Sequence, residues 1–365
     1  MSGTSLDAVD CALVDFSAGS DDRPGNRPAS RHFVTIALPA ALRDELMALQ
    51  SSGPDELARA ALSANALSDL YAQAVARVLA EAELKPAQVR AIGAHGQTVR
   101  HRPELGYTLQ LLNGARLAER SGIDVVCDFR SADIAAGGQG APLVPTFHAE
   151  ALGNPMDRRV IVNIGGTANV SLLAPGAIVL GFDTGPGNAL LDAWAQHHLG
   201  AAFDDAGRWA ASADPDPDLL AAFLSEAYFA RPAPKSTGRD LFDFAWLEGH
   251  LAALAGPLPA ATVQSTLAEL TATSIAQACA GFAPADVFVC GGGARNLDLL
   301  QRLATKMAPA HVDTTLALGV DPQAVEALAF AWLAKRRIEL LAGNLPGVTG
   351  AKGSRVLGAL YPAPR

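Results

Sequence analysis

Basic residues are in the minority in this chain of 365 residues, where 28 lysines and arginines stand against 37 aspartates and glutamates for a formal net charge of −9. An acidic surface is repelled by phosphate backbones and anionic lipid headgroups, so nucleic acids and membranes are not expected as partners. Charged residues are also few, at 18%, whereas 50% of the residues are hydrophobic. This composition excludes a disordered chain and predicts packed globular domains.

Cysteine is scarce, and long apolar runs are missing. The cysteines form no CxxC pair and lack the spacing of a zinc site, which indicates reduced core residues at Cys11, Cys127, Cys279 and Cys290. The longest uncharged stretch, residues 160–182, is interrupted by glycine, asparagine and proline, so no membrane span is expected. Asp7 and Asp10 interrupt the N-terminus where a signal peptide would be basic and then apolar. We therefore predict a cytoplasmic protein.

The length is about twice the ~150 residues typical of one domain, so two domains are expected. Each half begins with a strand, a turn and a second strand, and then continues with helices and further strands. Alternating residues predict strands at 9–16 and 32–36 around a loose loop 17–30, and three antiparallel strands at 160–163, 168–173 and 178–182. The clearest helices are predicted at 54–83, 187–199, 216–229, 260–280 and 322–341.

These elements predict domains at 1–145 and 146–365. The last helix is expected to be able to pack back on the first domain, and the glycine-rich remainder is expected to dock as a tail. A homodimer is among the assemblies that the sequence allows.

Turns rich in glycine and hydroxyl residues adjoin the predicted strands at residues 2–7, 164–169 and 291–296. Glycine lets a ligand approach the backbone, amides and hydroxyls donate to phosphate oxygens, and a nearby aspartate can hold Mg²⁺ through water. By itself the first turn is explained equally well as a polar turn at a chain end, but its repetition favours phosphate binding. The signatures GxxxxGK[ST], HExxH and GxSxG are missing, which argues against a P-loop, a zinc peptidase and a serine hydrolase.

The richest motif is the run GFDTGPGN at 181–188, in which Asp183 ends an apolar strand. A carboxylate there can project into a cleft as a general base, which must lie within about 3 Å of the proton that it takes. The structural alternative is a turn or helix-capping aspartate. Asn188 fits a capping role better, because it adjoins the predicted helix.

Polar residues that suit a ligand also follow the strand predicted at 89–93. His95 and Thr98 lie where α/β proteins place ligand groups, although a structural hydrogen-bonded role is slightly favoured for His95. Arg130 lies near the glycine loop 137–140 and suits a carboxylate or phosphate, with an ion pair to Asp133 as the structural alternative. Lys235 could bind phosphate or lie in a solvated loop.

Taken in order, these segments resemble the anhydro-N-acetylmuramic acid kinases, bacterial enzymes of cell-wall recycling in the sugar kinase and actin superfamily. The most specific parts of the resemblance are the runs GFDTGPGN and AAGGQGAPLVP. It covers nearly the whole chain, through residues 2–10, 95–98, 128–130, 133–145, 163–166, 181–188, 234–239 and 290–293.

The resemblance implies an α/β fold of two ribonuclease H-like, actin-like ATPase domains with a nucleotide cleft between them. It implies an ATP-dependent kinase that opens the 1,6-anhydro ring of 1,6-anhydro-N-acetylmuramic acid and phosphorylates O6, giving N-acetylmuramic acid 6-phosphate and ADP. In the family, the aspartate of the GFDTGPGN run activates the attacking water, and here that residue is Asp183. ATP and Mg²⁺ are the cofactors expected, and the small-molecule partners are the amino sugar and ATP.

The resemblance also assigns the binding residues. ATP is expected at Gly3, Thr4, Ser5, Leu6, Asp7, Ala8, Val9, Asp10, Gly165, Gly166, Thr167, Asn169, Gly291, Gly292 and Gly293, and Asp7 is expected to hold the metal through water. The sugar is expected at Gln97, Thr98, Arg130 and Gly185, with Arg130 at the lactyl carboxylate.

The chain departs from the family pattern near its start. Met1 stands where superfamily relatives often carry an aspartate, so the acidic chemistry is expected from Asp7 and Asp183. Ala8 replaces a glycine and could crowd the phosphates. The family fold has a strand before the first turn, so either an upstream segment was left out of the assigned start or the sheet lacks a strand, and the hairpin 9–36 would have an unpaired side. The alternatives are a kinase of another sugar, or a nucleotide-binding protein impaired by the missing strand.

Overall fold

The structure is a computed structural model, and it describes residues 1–2, 6–16, 29–175, 180–233, 235–238, 241–254 and 256–364. Two compact units make up the chain. Unit 1 comprises Met1–Ala151 and Ala324–Arg365, and unit 2 comprises Leu152–Gln323. These bounds correct the predicted domains 1–145 and 146–365, because the residues after 323 pack with the N-terminal part of the chain.

Strands and helices alternate along both units. The described strands are β1 (Ala8–Asp15), β2 (Ala29–Ala37), β3 (Ile92–Gly93), β4 (Gln97–Arg102), β5 (Tyr107–Leu111), β6 (Val125–Cys127), β7 (Arg159–Ile164), β8 (Thr167–Leu173), β9 (Leu180–Pro186), β10 (Asp286–Cys290), β11 (His311–Thr314) and β12 (Ala359–Tyr361). The described helices are α1 (Ala40–Ala48), α2 (Glu56–Glu81), α3 (Gly114–Ser121), α4 (Ser131–Ala135), α5 (Val144–Phe147), α6 (Asn188–Leu199), α7 (Pro217–Leu224), α8 (Ala227–Ala230), α9 (Phe244–Ala252), α10 (Ala260–Ala278), α11 (Leu297–Met307), α12 (Val325–Ile338) and α13 (Pro346–Thr349). The α/β class is therefore confirmed.

Unit 1 is built on short sheets covered by two long helices. β1 and β2 form the predicted antiparallel hairpin, β3 pairs in parallel with β6, and β12 pairs antiparallel with β6. Helix α2 buries Leu67, Tyr71 and Val78 against the β1 and β2 hairpin, because its apolar residues recur at helical spacing. Helix α12 packs on β1 and β3, which places the C-terminal segment in this unit.

β1 faces a cavity on the edge opposite β2. Met1 and Ser2 pair with Asp10 and Val9 at the start of this edge. Further along, β1, β3, α2 and α12 line a cavity of about 810 Å³. Apart from Met1 and Ser2, no described residues pair with this edge of β1. The structure thus has the unpaired side expected for the hairpin.

Unit 2 is built on one mixed sheet in the order β11-β10-β7-β8-β9. β7, β8 and β9 are the three predicted antiparallel strands, whereas β10 runs parallel to β7 with Cys290 opposite Asn163. Parallel neighbours end at the same edge of a sheet, so the loops after β7 and β10 lie side by side. Helix α10 covers the sheet with buried residues that include Ala272 and Ile275.

Several expected elements differ in detail. The predicted helix 216–229 is two helices, α7 and α8, because Glu226 has a non-helical ψ of 128°. The predicted loop at 95–98 leads directly into β4, which pairs with β5. The tail docks as expected, with the Lys352 N–H donating to the carbonyl of Ala136. Three of the four cysteines are buried thiols. No helix of the described residues has the length and hydropathy of a membrane span.

Candidate functional site

Asp183 lies in β9 of unit 2. Lys235 and Thr237, which follow it by 52 and 54 residues in the chain, lie beside this strand. Its carboxylate Oδ2 accepts a hydrogen bond from the backbone N–H of Thr237 at 3.0 Å. The backbone N–H of Asp183 donates to the carbonyl of Lys235 at 3.1 Å, and the Tyr228 hydroxyl donates to the carbonyl of Asp183 at 2.6 Å. These three contacts hold the backbone and the side chain of Asp183 in place.

Burial dominates the electrostatics of this carboxylate. It raises the pKa of Asp183 to about 6, although the hydrogen bond from Thr237 opposes the increase. A carboxylate with such a pKa is ionised at neutral pH and more basic than an exposed aspartate, as a general base requires.

The structural roles considered for Asp183 and Asn188 are wrong. Helix α6 has Gly187 at its N-cap position, and the carboxylate of Asp183 accepts from Thr237. Asn188 is the first residue of α6, and its side-chain amide donates to the carbonyl of Ile164 at 3.2 Å. It therefore ties α6 to the end of β7 without capping the helix.

The turn between β7 and β8 binds the start of α6 through its backbone. The carbonyl of Gly166 accepts from the N–H groups of Gly187 at 2.9 Å and Ala189 at 3.1 Å, and the carbonyl of Gly165 accepts from Asn188 at 2.8 Å. A Cβ on Gly187 would lie 2.4 Å from the carbonyl oxygen of Gly165. This close approach of two backbones requires glycine.

The glycine turn after β10 packs against the end of β7. Gly291 has a φ of +78°, and a Cβ there would lie 2.5 Å from Oδ1 of Asn163. A Cβ on Gly293 would lie 2.4 Å from the side chain of Ile164. The structure therefore brings the predicted residues Gly165, Gly166, Gly291, Gly292 and Gly293 to one edge of the sheet.

Asp183 is two strands away from β7 at that edge. Asn169 of β8 lies opposite Asp183 of β9, and Thr167 lies opposite Pro186. Gly185 is buried beneath Phe229, whose ring a Cβ on Gly185 would approach to 2.8 Å. In unit 2, the candidate catalytic carboxylate and the candidate phosphate turns thus belong to four neighbouring strands, β10, β7, β8 and β9.

In unit 1, the half-buried Arg130 and the buried His95 form a polar pair. Nε and Nη2 of Arg130 lie 3.1 Å and 2.9 Å from Nε2 of His95, and Nη1 donates to the carbonyl of Gly140 at 2.7 Å. The alternative pairing of Arg130 with Asp133 is wrong. The Asp133 carboxylate instead accepts from the N–H of Gly140, the amide of Asn344 and the hydroxyl of Thr349.

Gln97 and Thr98 begin β4, directly after His95 and Gly96. Gln97 is 2% exposed, and its Oε1 has no hydrogen-bond partner among the described residues. An unsatisfied buried oxygen is costly, and a donor group on a ligand would satisfy it. Thr98 accepts a hydrogen bond from the side chain of Gln110 at 3.2 Å.

The first predicted phosphate turn is described in part. Gly3, Thr4 and Ser5 lie outside the described residues. The side chains of Leu6 and Val9 are buried in the core, so these two residues could contact a ligand only through their backbone. Ala8 and Asp10 belong to β1, where Asp10 accepts from the hydroxyl of Thr35, and Asp7 is exposed before the strand. Within the described ranges, no group of three or more His, Cys, Asp or Glu side chains is arranged to hold a metal.

Sequence reasoning missed the residues that hold Asp183 in place. Tyr228 and Thr237 lie far from Asp183 in the chain, and no spacing pattern links them. Lys235 is not simply solvated, because its ammonium donates to the carbonyls of Tyr228 and Phe229 at 3.3 Å and 3.2 Å, and phosphate binding by Lys235 stays a prediction. Its nearness to the GFDTGPGN run could have been found only from the fold.

Comparison with known proteins gives full-length matches. A family model described as anhydro-N-acetylmuramic acid kinase matches residues 1–363. A protein of that name from Bordetella avium is 55% identical over 364 residues, which is 100% of this chain and 95% of the relative. Another from Chromobacterium violaceum is 50% identical over 364 residues, which is 99% of this chain and 98% of the relative. A solved activator of 2-hydroxyisocaproyl-CoA dehydratase from Clostridium difficile covers 91% of this chain and 94% of its own at 12% identity, and its TM-score of 0.43 is too low to bear on the fold.

Proposed function

The chain belongs to the anhydro-N-acetylmuramic acid kinase family, and from this premise we propose that Asp183 is the general base of its reaction. The protein is an ATP-dependent kinase that opens the 1,6-anhydro ring of 1,6-anhydro-N-acetylmuramic acid and phosphorylates O6. Its products are N-acetylmuramic acid 6-phosphate and ADP. Relatives of the same name that match almost the whole chain at 50% and 55% identity do not favour the two alternatives.

The position and basicity of Asp183 carry the proposal for the catalytic step. The carboxylate takes a proton from water, and the water oxygen bonds to the anomeric carbon as the bond from that carbon to O6 breaks. The released O6 attacks the γ-phosphorus, and ADP leaves. Because O6 gains negative charge as the ring opens, ring opening and phosphoryl transfer assist each other, and the protein contributes positioning and charge neutralisation.

We assign the nucleotide to the glycine turns. Gly165, Gly166, Thr167, Asn169, Gly291, Gly292 and Gly293 lie in unit 2, where the turns after the parallel strands β7 and β10 meet at one edge of the sheet. The turn Gly3 to Asp10 of unit 1 would bind phosphates through its backbone and hydroxyls. A nucleotide cleft between two ribonuclease H-like domains remains a prediction.

Mg²⁺ fits Asp7 as a ligand held through water. The ion keeps several waters and takes one or two carboxylates together with substrate phosphates, so a full protein cage is not needed. Asp7 is exposed directly before β1, within the proposed phosphate turn Gly3 to Asp10. When bound, the ion would neutralise phosphate charge.

We assign the sugar to Gln97, Thr98, Arg130 and Gly185. Arg130 offers a cation to the lactyl carboxylate, and the unsatisfied Oε1 of Gln97 can accept from an N–H or O–H group of the sugar. A cytoplasmic location and a homodimer remain predictions.

The experiment that tests this function is mass spectrometry of the product formed with ATP in ¹⁸O-labelled water. We expect one label on the anomeric hydroxyl and one new phosphate on the same sugar. Phosphate without label would indicate an ordinary kinase, and ADP release that does not depend on the sugar would indicate an uncoupled nucleotide-binding protein.

Asp183→Asn is the matched variant for the same assay. Loss of a general base typically lowers the rate by about 10²- to 10⁴-fold, which is about 3 to 5 kcal/mol of barrier. Turnover should fall by this factor while ATP affinity, measured by calorimetry, stays near that of the wild type. Loss of ATP binding along with turnover would indicate that Asp183 is structural.

A further inference from the structure

The hydrogen bonds of Arg130 within the described residues leave two of its N–H groups to bind a ligand. An arginine side chain carries five N–H groups, one on Nε and two on each terminal nitrogen. His95 accepts from Nε and Nη2, and Gly140 accepts from Nη1. One N–H therefore remains on each terminal nitrogen, and a carboxylate can accept two such N–H groups side by side.

The groups that accept hydrogen bonds from the guanidinium of Arg130 are neutral. Arg130 is half-buried, and in the described ranges no carboxylate forms an ion pair with it. Burial lowers the pKa of Arg130 to about 10, and the nearby charges of Glu326 and Asp133 oppose this decrease, so the group keeps its positive charge at neutral pH. A partly buried cation whose partners are an imidazole and a carbonyl is well suited to an anionic ligand.

His95 can accept from Arg130 in one tautomer. Its Nδ1 lies 2.8 Å from the carbonyl oxygen of Gly96, which can only accept, so Nδ1 carries the proton. Nε2 then presents its lone pair to Arg130. Burial and the charge of Arg130 lower the pKa of His95 well below its usual range, so the ring stays neutral.

Packing holds the ring of His95 in this orientation. His95 is 6% exposed, and its ring centroid lies 4.6 Å from that of Phe330, which is itself buried. The acceptor is therefore fixed in place before any ligand binds, and it sets the plane in which the guanidinium of Arg130 lies.

We propose that His95 is a positioning residue for the sugar. It turns Arg130 so that the two remaining N–H groups meet the lactyl carboxylate that distinguishes N-acetylmuramic acid from N-acetylglucosamine. This inference rests on the proposed function and deepens it, because it assigns the choice between the two sugars to a side chain that acts through Arg130.

The test compares two sugars that differ in this carboxylate, 1,6-anhydro-N-acetylmuramic acid and 1,6-anhydro-N-acetylglucosamine. Hydrogen bonds to charged groups are worth enough to give the wild type a preference of about 10- to 100-fold in kcat/KM for the first sugar. Arg130→Leu should bring the preference close to one. His95→Leu should reduce it by at least about tenfold, mainly through KM, and His95→Gln, which keeps an acceptor, should restore part of it.

His148→Leu is the matched control, because His148 is another buried histidine of unit 1. It should keep the preference of the wild type even where it lowers stability. The ratio of kcat/KM for the two sugars does not depend on the fraction of folded enzyme, so the preference can be measured even for a partly unfolded variant. A His95→Leu enzyme that prefers the carboxylate sugar as strongly as the wild type overturns the proposal.

A second measurement separates this inference from the proposed function. The ¹⁵N shifts of the imidazole report its tautomer without any turnover. An unprotonated Nε2 in the wild type at pH 7 supports the positioning role, whereas a protonated Nε2 would overturn it. Failure of the wild type to phosphorylate either sugar would refute the proposed function and leave the tautomer result to decide the contact between His95 and Arg130.

Discussion

Asp183 combines a fixed position with a raised pKa, and both have consequences at the scale of the residue. The side chain accepts a hydrogen bond from a backbone N–H, and no arginine, lysine or histidine of the described chain forms an ion pair with it. Its basicity is therefore set by burial rather than by a neighbouring cation.

The raised pKa predicts the acid side of the pH profile. A general base works only when it is ionised, so kcat/KM should fall tenfold for each pH unit below about 6, the pKa of Asp183. Initial rates between pH 4.5 and pH 8 under constant ionic strength measure this slope, in about half-unit steps. The residual activity of Asp183→Asn should lack this inflection, and an inflection that persists in the variant would assign it to another group.

The same pKa predicts how stability changes with pH. Folding raises the pKa of Asp183 from 3.8 to about 6, so the folded protein binds the proton more tightly than the unfolded chain. Ionised Asp183 therefore destabilises the fold above about pH 6, and this destabilisation disappears as the pH falls towards 4. At about 1.4 kcal/mol per pH unit, it amounts to about 3 kcal/mol at most.

Asp183→Asn should consequently be more stable than the wild type at pH 7 to 8 and similar to it near pH 4. Urea unfolding at several pH values measures the difference. A variant less stable than the wild type at pH 8 would show that the contacts of the carboxylate outweigh its desolvation.

At the scale of elements, the start of α6 depends on one glycine. Gly187→Ala would place a methyl group against the carbonyl of Gly165, at 2.4 Å in the present backbone. The turn between β7 and β8 would have to move away from α6, which should cost about 1 to 3 kcal/mol of stability and weaken ATP binding.

Gly249→Ala is the control for that variant. Gly249 lies within α9, and no atom lies within 4 Å of a Cβ built there apart from the helix backbone, so alanine should stabilise the helix by about 0.5 to 1 kcal/mol. Urea unfolding and calorimetry with ATP compare the two variants. Equal ATP affinity in both would contradict a role of the β7–β8 turn in nucleotide binding.

The elements also show which structure a sequence pattern can predict. The strands β7, β8 and β9 alternate or run apolar between clear turn residues, and the three-stranded antiparallel arrangement follows from those signals. β4 reads QTVRHR, in which Val99 is the one apolar residue and only the last two residues are exposed, so its pairing with β5 leaves no periodic signal. The break between α7 and α8 at Ser225 and Glu226 was missed because apolar residues lie close on both sides of it.

In the candidate site, too, local sequence patterns predicted some residues and missed others. Asp183 and the glycine turns are local motifs, so the sequence alone indicates them. The contacts of Asp183 with Tyr228 and Thr237, and of Arg130 with His95, join residues 35 to 54 positions apart. Such pairs depend on the tertiary fold, which local patterns do not encode.

At the scale of the whole molecule, unit 1 is assembled from both ends of the chain. Asp133 is fully buried and accepts from Thr349 at 2.7 Å and from Asn344 at 2.6 Å. Removing one hydrogen-bond partner of a buried carboxyl group destabilises a protein, so these bonds tie the C-terminal tail to the loop that carries Arg130 and Gly140. The last 42 residues, Ala324–Arg365, are therefore a structural part of unit 1.

The cavity beside β1 is a gap in the packing of unit 1. Atoms that line a gap lack the dispersion contacts of close packing, so a larger apolar side chain that fills part of it should stabilise the unit. Ala331 of α12 lines the cavity, and Ala331→Leu should raise the free energy of unfolding, whereas Ala61→Leu on the exposed face of α2 should not. Urea unfolding measures the difference, and equal midpoints for both variants would contradict it. The space beside β1 would then be a place where the chain can be made more robust without changing any residue of the proposed site.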